Sequence, residues 1–153
     1  MTAEVYELPE EHRDFRATIR QLARERIAPR AAEIDATDEY PWDIRRLLAE
    51  QDVLALPFDE EHGGTGTGTL MLQVAVEELA RASAACALIL MVQELGTLPI
   101  ARFGSDELKQ RFLPRCATGE WSPASISAAR GAIRSRASRR IVARNSRCSS
   151  GSS

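Results

Sequence analysis

The 153-residue sequence is poor in the residues that build disulfide frameworks and metal sites. Its three cysteines, Cys86, Cys116 and Cys148, are odd in number and far apart, which matches neither a disulfide framework nor a zinc site. The two histidines, His12 and His62, have no cysteine or carboxylate cluster at metal-ligand spacing, so we expect no metal site. The cysteine usage favours a reducing compartment, and we expect a cytoplasmic protein.

Long apolar runs, targeting signals and a phosphate-binding loop are also missing. No apolar run approaches the roughly 20 residues of a transmembrane helix. The N-terminus lacks the basic-then-apolar pattern of a signal peptide. The glycine-rich stretch 63–68 has neither the spacing nor the lysine of a P-loop, and we interpret it as a sharply bent connector. The sequence therefore predicts no membrane span and no P-loop.

Acidic and aromatic residues are absent from the last 29 positions. The net charge of −2 divides into −9 for residues 1–124 and +7 for residues 125–153, which hold seven arginines and nine serines. Such a segment has too little apolar surface to offset the entropy lost on ordering. We predict a domain at 1–124 and a disordered tail at 125–153. A nucleic-acid tether acting through phosphate contacts is a rival interpretation of this tail.

What the chain does contain is helical periodicity, supported by 44% apolar residues. The pattern predicts an all-α helical bundle without strands, interrupted at Pro29. The apolar stripes comprise Phe15, Ile19, Leu22 and Ile27; Ile44, Leu47 and Leu48; Leu72, Val76 and Leu79; and Leu108, Phe112 and Leu113.

The apolar stretch Ser83–Leu95 predicts a central buried helix that ends at 96–99. Gln93 and Glu94 within it require partners or a cavity. We interpret the paired carboxylates at 77–78 as surface groups and His62 as part of a turn. The residues by themselves therefore predict no catalytic site.

Four segments, taken in order, resemble the N-terminal helical domain of the flavin-dependent acyl-CoA dehydrogenases. They are L-P-E-E-H-R-D-F-R at 8–16, L-A-L-P-F-D-E-E-H-G-G-T-G at 54–66, V-E-E-L-A-R-A-S-A-A at 76–85, and the stretch from L-G-T-L-P to T-G-E-W at 95–121. Each segment is weak alone, but their shared order and spacing over 7–124 are specific to the family.

The resemblance implies a three-part oxidoreductase of fatty-acid or related acyl-CoA catabolism, with FAD as cofactor and an acyl-CoA as substrate. In this family a glutamate removes the α-proton and FAD takes the β-hydride, which leaves an α,β double bond. The fourth helix and the turn after it help wall the acyl-chain pocket. By position, the resemblance implies substrate contacts from Ala87, Leu88, Met91 and Leu95.

The sequence departs from the family directly after Trp121. A family member continues with a segment like F-A-L-T-E-P, whereas this chain continues S-P-A-S-I-S. The flavin-facing T-E-P element and the domain that carries the catalytic glutamate are missing, so no catalytic residue is carried over and the cofactor-binding residues are unknown. We expect a truncated chain, inactive alone, with a frame-shifted or aberrant end.

Two other possibilities stay open. One is a non-enzymatic helical interaction module that pairs with a chain supplying the flavin domain. The other is self-association through faces that family members cover with their further domains.

Overall fold

The computed structural model describes residues 7–37 and 39–122, and the predicted tail at 125–153 lies outside these residues. Within this part of the chain the regular structure is entirely helical, so the all-α prediction is confirmed. The helices are α1 (Glu10–Leu22), α2 (Ala31–Ala36), α3 (Trp42–Glu50), α4 (Gly68–Ala82), α5 (Ala84–Phe103) and α6 (Asp106–Ala117).

Helix α1 begins directly after Pro9, with Glu10 and Glu11 in its first turn, where carboxylates interact favourably with the positive end of the helix dipole. The chain then passes through a π-helical turn at Ala23–Ile27 and a 3₁₀ turn at Ala28–Arg30 before α2. The interruption predicted at Pro29 is therefore present, because proline has no N–H for the helical ladder.

Helices α1, α4 and α5 pack around the main core, which α3 and the following 3₁₀ turn (Val53–Ala55) complete. A second, smaller cluster joins the end of α5 to α6 and to Ala55 and Phe58. Side chains with 0% exposure in the main core are Ile27, Leu48, Leu54, Ala75, Leu79, Cys86 and Leu90. The core thus follows the predicted apolar stripes, although Leu108 is exposed on α6.

Helix α5 is longer and less buried than the sequence predicts. It continues to Phe103, and Pro99 lies inside it, so the predicted end at 96–99 is wrong. Proline removes one helical donor, whose acceptor would be the carbonyl of Leu95, and Leu95 is 71% exposed. Solvent therefore reaches this part of the helix, where the lost hydrogen bond is least costly.

One face of α5 packs in the core and the opposite face is exposed, so the prediction of a buried helix holds for one face alone. The helix is 20 residues long and contains an 18-residue stretch with a mean hydropathy of 1.7, so by length and composition it could cross a membrane, contrary to the sequence prediction. Glu94 and Arg102 break the apolar run and conceal this length. Core helices of globular domains reach the same composition, and 39% of this 18-residue stretch is buried within the domain.

The glycine-rich connector between the 3₁₀ turns and α4 makes the sharp bend that its composition predicts. The amide of Gly64 donates to the carbonyl of Asp59 at 2.9 Å, and the amide of Gly66 donates to that of Phe58 at 3.2 Å. A Cβ placed on Gly64 would lie 1.9 Å from the carbonyl oxygen of Phe58, whereas one on Gly63 would meet nothing within 4 Å. Gly64 is therefore required by close backbone approach.

We expect Gly64→Ala to lower the free energy of unfolding by about 3 kcal/mol, because the new methyl group overlaps backbone that has no room to move. Gly63→Ala is the matched control. Its φ of +77° costs about 1 kcal/mol without a steric clash. Urea denaturation followed by circular dichroism measures both changes. Equal losses for the two variants would show that backbone approach at Gly64 is not the constraint.

Candidate functional site on the open face of helix α5

The four residues with predicted substrate contacts are divided by the structure. Leu88, Met91 and Leu95 are 54%, 45% and 71% exposed, and their spacing of three and four places them on one stripe of α5. Ala87 is 2% exposed and belongs to the main core. The open stripe is thus available to a ligand or a partner, while Ala87 supports it from inside. Whether any of the four contacts an acyl chain stays a prediction.

A cavity of about 620 Å³ adjoins this stripe, and Leu88 is the member of the predicted set that lines it. Its other walls come from α2 and the segment that joins it to α3, from α3, from α5 and from the end of the described chain. They are Ile34, Thr37, Glu39, Tyr40, Pro41, Trp42, Arg45, Ala85, Ile89, Val92 and Ser122. The rings of Tyr40 and Trp42 lie 4.7 Å apart at 58°. The mainly aliphatic and aromatic walls suit an apolar ligand.

A buried arginine, missed in the sequence, closes one side of the cavity. Arg45 is 5% exposed and donates to the carbonyls of Gly119 at 3.2 Å and Trp121 at 2.8 Å, and to Oε1 of Gln93 at 3.4 Å. Gln93 in turn donates from Nε2 to the carbonyl of Cys116 at 2.6 Å. The expectation that Gln93 needs a partner is confirmed. The Arg45 network, defined by these contacts, joins α3, α5 and the turn after α6.

The thiol of Cys116 lies beside this network and is fully buried. Burial raises its pKa to about 11, against the opposing charge of Arg45. The thiol is therefore protonated at neutral pH, which makes it a poor nucleophile.

Glu78 corrects the sequence interpretation, which placed it on the surface. It is 1% exposed and accepts hydrogen bonds from Arg20 at two positions, both 2.8 Å, and from Nε of Arg16 at 2.9 Å. These hydrogen bonds, those from Arg20 above all, lower its pKa to about 2 despite its burial. Arg16 and Arg20 stand one turn apart on α1, a spacing that was visible in the sequence but pointed to no partner.

Glu94 and His62, two polar residues singled out in the sequence, both lie close to other charged side chains. Glu94 is half-buried and lines a smaller cavity of about 270 Å³ together with Asp59 and Arg102. His62 is buried, and its ligand atom lies within 4.8 Å of those of Asp59 and Glu61. The sequence spacing of these adjacent residues matches no metal-ligand motif, but the fold brings two carboxylates close to His62.

The arginine that lines the cavity beside α5 is engaged with protein acceptors. A dinucleotide needs free donors or cations for its diphosphate. The guanidinium in this cavity, that of Arg45, already donates to three protein acceptors. We therefore assign no described residue to flavin binding.

Comparisons with known proteins agree on the ancestry of the domain. Residues 9–120 match the family model for the acyl-CoA dehydrogenase N-terminal domain. The chain is 40% identical over 114 residues to a probable acyl-CoA dehydrogenase, fadE25, of Mycobacterium leprae. The aligned stretch covers 74% of this chain and 29% of the relative. It is 44% identical over 113 residues to the cyclohexane-1-carbonyl-CoA dehydrogenase of Geobacter metallireducens, covering 72% of this chain and 30% of that one.

A solved structure supports the fold. It comes from work on the electron transferring flavoprotein of Acidaminococcus fermentans and a mechanism of flavin-based electron bifurcation. It superposes with a TM-score of 0.70 at 26% identity, covering 76% of this chain and 31% of that chain. The chain thus spans less than a third of the length of these relatives.

We expect Glu78→Gln to lower the free energy of unfolding by about 3 kcal/mol at pH 7, because it leaves Arg16 and Arg20 facing a neutral amide. The pKa of Glu78 is lower in the folded chain than its ordinary value. Its stabilisation is therefore present above about pH 4.5 and is lost as the pH falls toward about 2. Urea denaturation at several pH values in this range should show that the free energy of unfolding changes less with pH in the variant than in the parent chain.

The matched control for this prediction is Glu77→Gln. Glu77 pairs with Arg16 and Arg81 but is 47% exposed, so its removal should cost less than about 1 kcal/mol. Equal losses for the two variants would contradict the assignment of Glu78 as the buried anchor.

We expect Arg45→Met to cost about 2 kcal/mol, because the carbonyls of Gly119 and Trp121 lose their donor. The exposed neighbour gives the control Arg46→Met, which should be near neutral. In a Trp42→Phe background, Trp121 fluorescence reports local release as well as stability. Unchanged Trp121 emission in the Arg45 variant would contradict this role.

Proposed function

Because this chain belongs to the acyl-CoA dehydrogenase family, we propose that it is the N-terminal domain of a flavin-dependent oxidoreductase that introduces an α,β double bond into an acyl-CoA thioester. The observation that carries the proposal is the exposed apolar stripe on α5 beside the 620 Å³ cavity. This combination supplies a wall for an apolar chain in a domain whose relatives are acyl-CoA dehydrogenases.

In this proposal the domain contributes binding and shielding, while catalytic residues come from elsewhere. Leu88, Met91 and Leu95 contact the acyl chain, and each buried methylene adds about 0.8 kcal/mol to binding. The Arg45 network holds α5 against α3 and thereby fixes the stripe. When FAD is bound by further domains, it supplies the hydride-accepting chemistry. A cytoplasmic location and a role in fatty-acid or related acyl-CoA metabolism belong to the same proposal.

A second candidate function has its own observation. Phe103, at the end of α5, is 86% exposed, and Leu95 on the same helix is 71% exposed. Apolar groups exposed to this extent are typical of protein interfaces. The chain would then be a helical interaction module that pairs with a chain supplying the flavin domain, or with a second copy of itself.

The test is complementation between two separately purified pieces. We expect the full chain of 153 residues to carry no stoichiometric flavin and to show no acyl-CoA oxidation with an artificial electron acceptor. Mixed with the middle and C-terminal portion of the Mycobacterium leprae relative, it should restore acyl-CoA-dependent dye reduction. In that mixture, Met91→Gln should raise KM by about tenfold, since one apolar contact of about 1.4 kcal/mol is lost.

The control is Leu108→Gln, an exposed leucine on α6 outside the stripe, which should leave KM unchanged. Activity of the chain alone would contradict the proposed division of labour. A stable complex without restored activity would favour the interaction module.

A further inference from the structure

We propose that Asp59, Glu61 and His62 bind a divalent transition-metal ion of the zinc class. The site lies on the connector between the 3₁₀ turn Val53–Ala55 and α4. The proposal is independent of acyl-CoA chemistry and rests on the side chains of this turn.

The first observation is the state of the His62 imidazole. The residue is 4% exposed, and its buried Nδ1 makes no hydrogen bond to any described residue. Oε1 of Glu61 lies 3.4 Å away but not in hydrogen-bond geometry. Buried polar atoms are nearly always paired, so a nitrogen in this position calls for a partner. An imidazole nitrogen that faces a carboxylate suits a cation placed between them.

The second observation is the arrangement of the three side chains. Asp59 precedes a 3₁₀ turn formed by Glu60–His62, and positions three apart in such a turn share one side. The three ligand atoms lie within 4.8 Å of one another. Bonds of about 2.1 Å to a tetrahedral zinc ion separate two ligand atoms by about 3.4 Å. The distance from Nδ1 of His62 to Oε1 of Glu61 has that value.

The backbone holds this arrangement without a metal. The carbonyl of Asp59 accepts from the amides of His62 at 3.0 Å and Gly64 at 2.9 Å. The amide of Gly63 donates to the carbonyl of Glu60 at 3.0 Å. Because Gly64 has no room for a Cβ, the turn has little freedom to rearrange. A preformed turn reduces the entropy that would be lost when a metal binds.

The donor set selects the class of ion. One imidazole nitrogen favours zinc, copper, nickel or iron over magnesium and calcium, while two carboxylates neutralise the charge of a divalent ion. Asp59 and Glu61 are exposed, which gives an ion direct access from solvent. Three protein ligands leave a fourth position for water. A bound ion would link both sides of the turn and stabilise the folded chain.

The experiment is calorimetric titration of the full, metal-free chain with Zn²⁺, in a Cys148→Ser background that removes the thiol of the tail. We expect one equivalent to bind, with a change of the His62 Nδ1 resonance in ¹⁵N imidazole NMR. The variant Asp59→Asn with Glu61→Gln should weaken binding by at least about tenfold. It alters two exposed side chains and so spares the core.

The matched control is Asp106→Asn with Glu107→Gln, which removes two exposed carboxylates from the first turn of α6. It should bind Zn²⁺ like the parent chain. Equal weakening in both double variants would show that general negative charge attracts the ion, and would overturn the proposal. An unchanged His62 resonance, or saturation at millimolar Zn²⁺ alone, would overturn it as well.

Discussion

The arrangement of this domain depends most on the hydrogen bonds that the guanidinium of Arg45 donates. A buried cation is costly unless it is hydrogen-bonded. Here the acceptors are two backbone carbonyls after α6 and the side chain of Gln93 on α5. A single side chain on α3 therefore sets where α5 and the end of α6 lie. Arg45 also lines the cavity beside α5.

Glu78 performs the corresponding task on the other side of the domain. It joins α4 to α1 through Arg16 and Arg20, with Glu77 and Arg81 forming an exposed rim around the pair. The two buried charged groups thus lie at different helix contacts. The apolar core between them supplies most of the stabilisation, and the polar networks specify which helix faces meet.

The sequence predicts the helical class and most of the core because helical periodicity is a local property. The stripes through Ile19, Leu48 and Leu79 are buried as their spacing indicates. It also predicts the sharp bend of the glycine-rich connector. Such features depend on residues a few positions apart.

The features that the sequence does not predict depend on contacts between residues far apart in the chain. Whether Glu78 is buried depends on arginines about 60 positions away, and the burial of Arg45 depends on carbonyls more than 70 positions away. Pro99 favours a helix end in the sequence, but α5 continues through it to Phe103, and the exposure of Leu95 leaves its carbonyl accessible to solvent. The family resemblance places the predicted substrate contacts on α5, and their role stays a prediction. The sequence does not show that Ala87 is buried while Leu88, Met91 and Leu95 are exposed, because this difference depends on how α5 packs against the other helices.

The place where the chain leaves the domain is mechanically anchored. The carbonyl of Trp121 is held by Arg45, its amide donates to the carbonyl of Arg115 at 2.9 Å, and its ring lies 4.6 Å from the Arg115 guanidinium. Tension applied to the chain beyond this tryptophan is therefore transmitted to α3 and α6 together before it reaches the apolar core. The position and orientation of Trp121 are therefore fixed by two helices rather than by one.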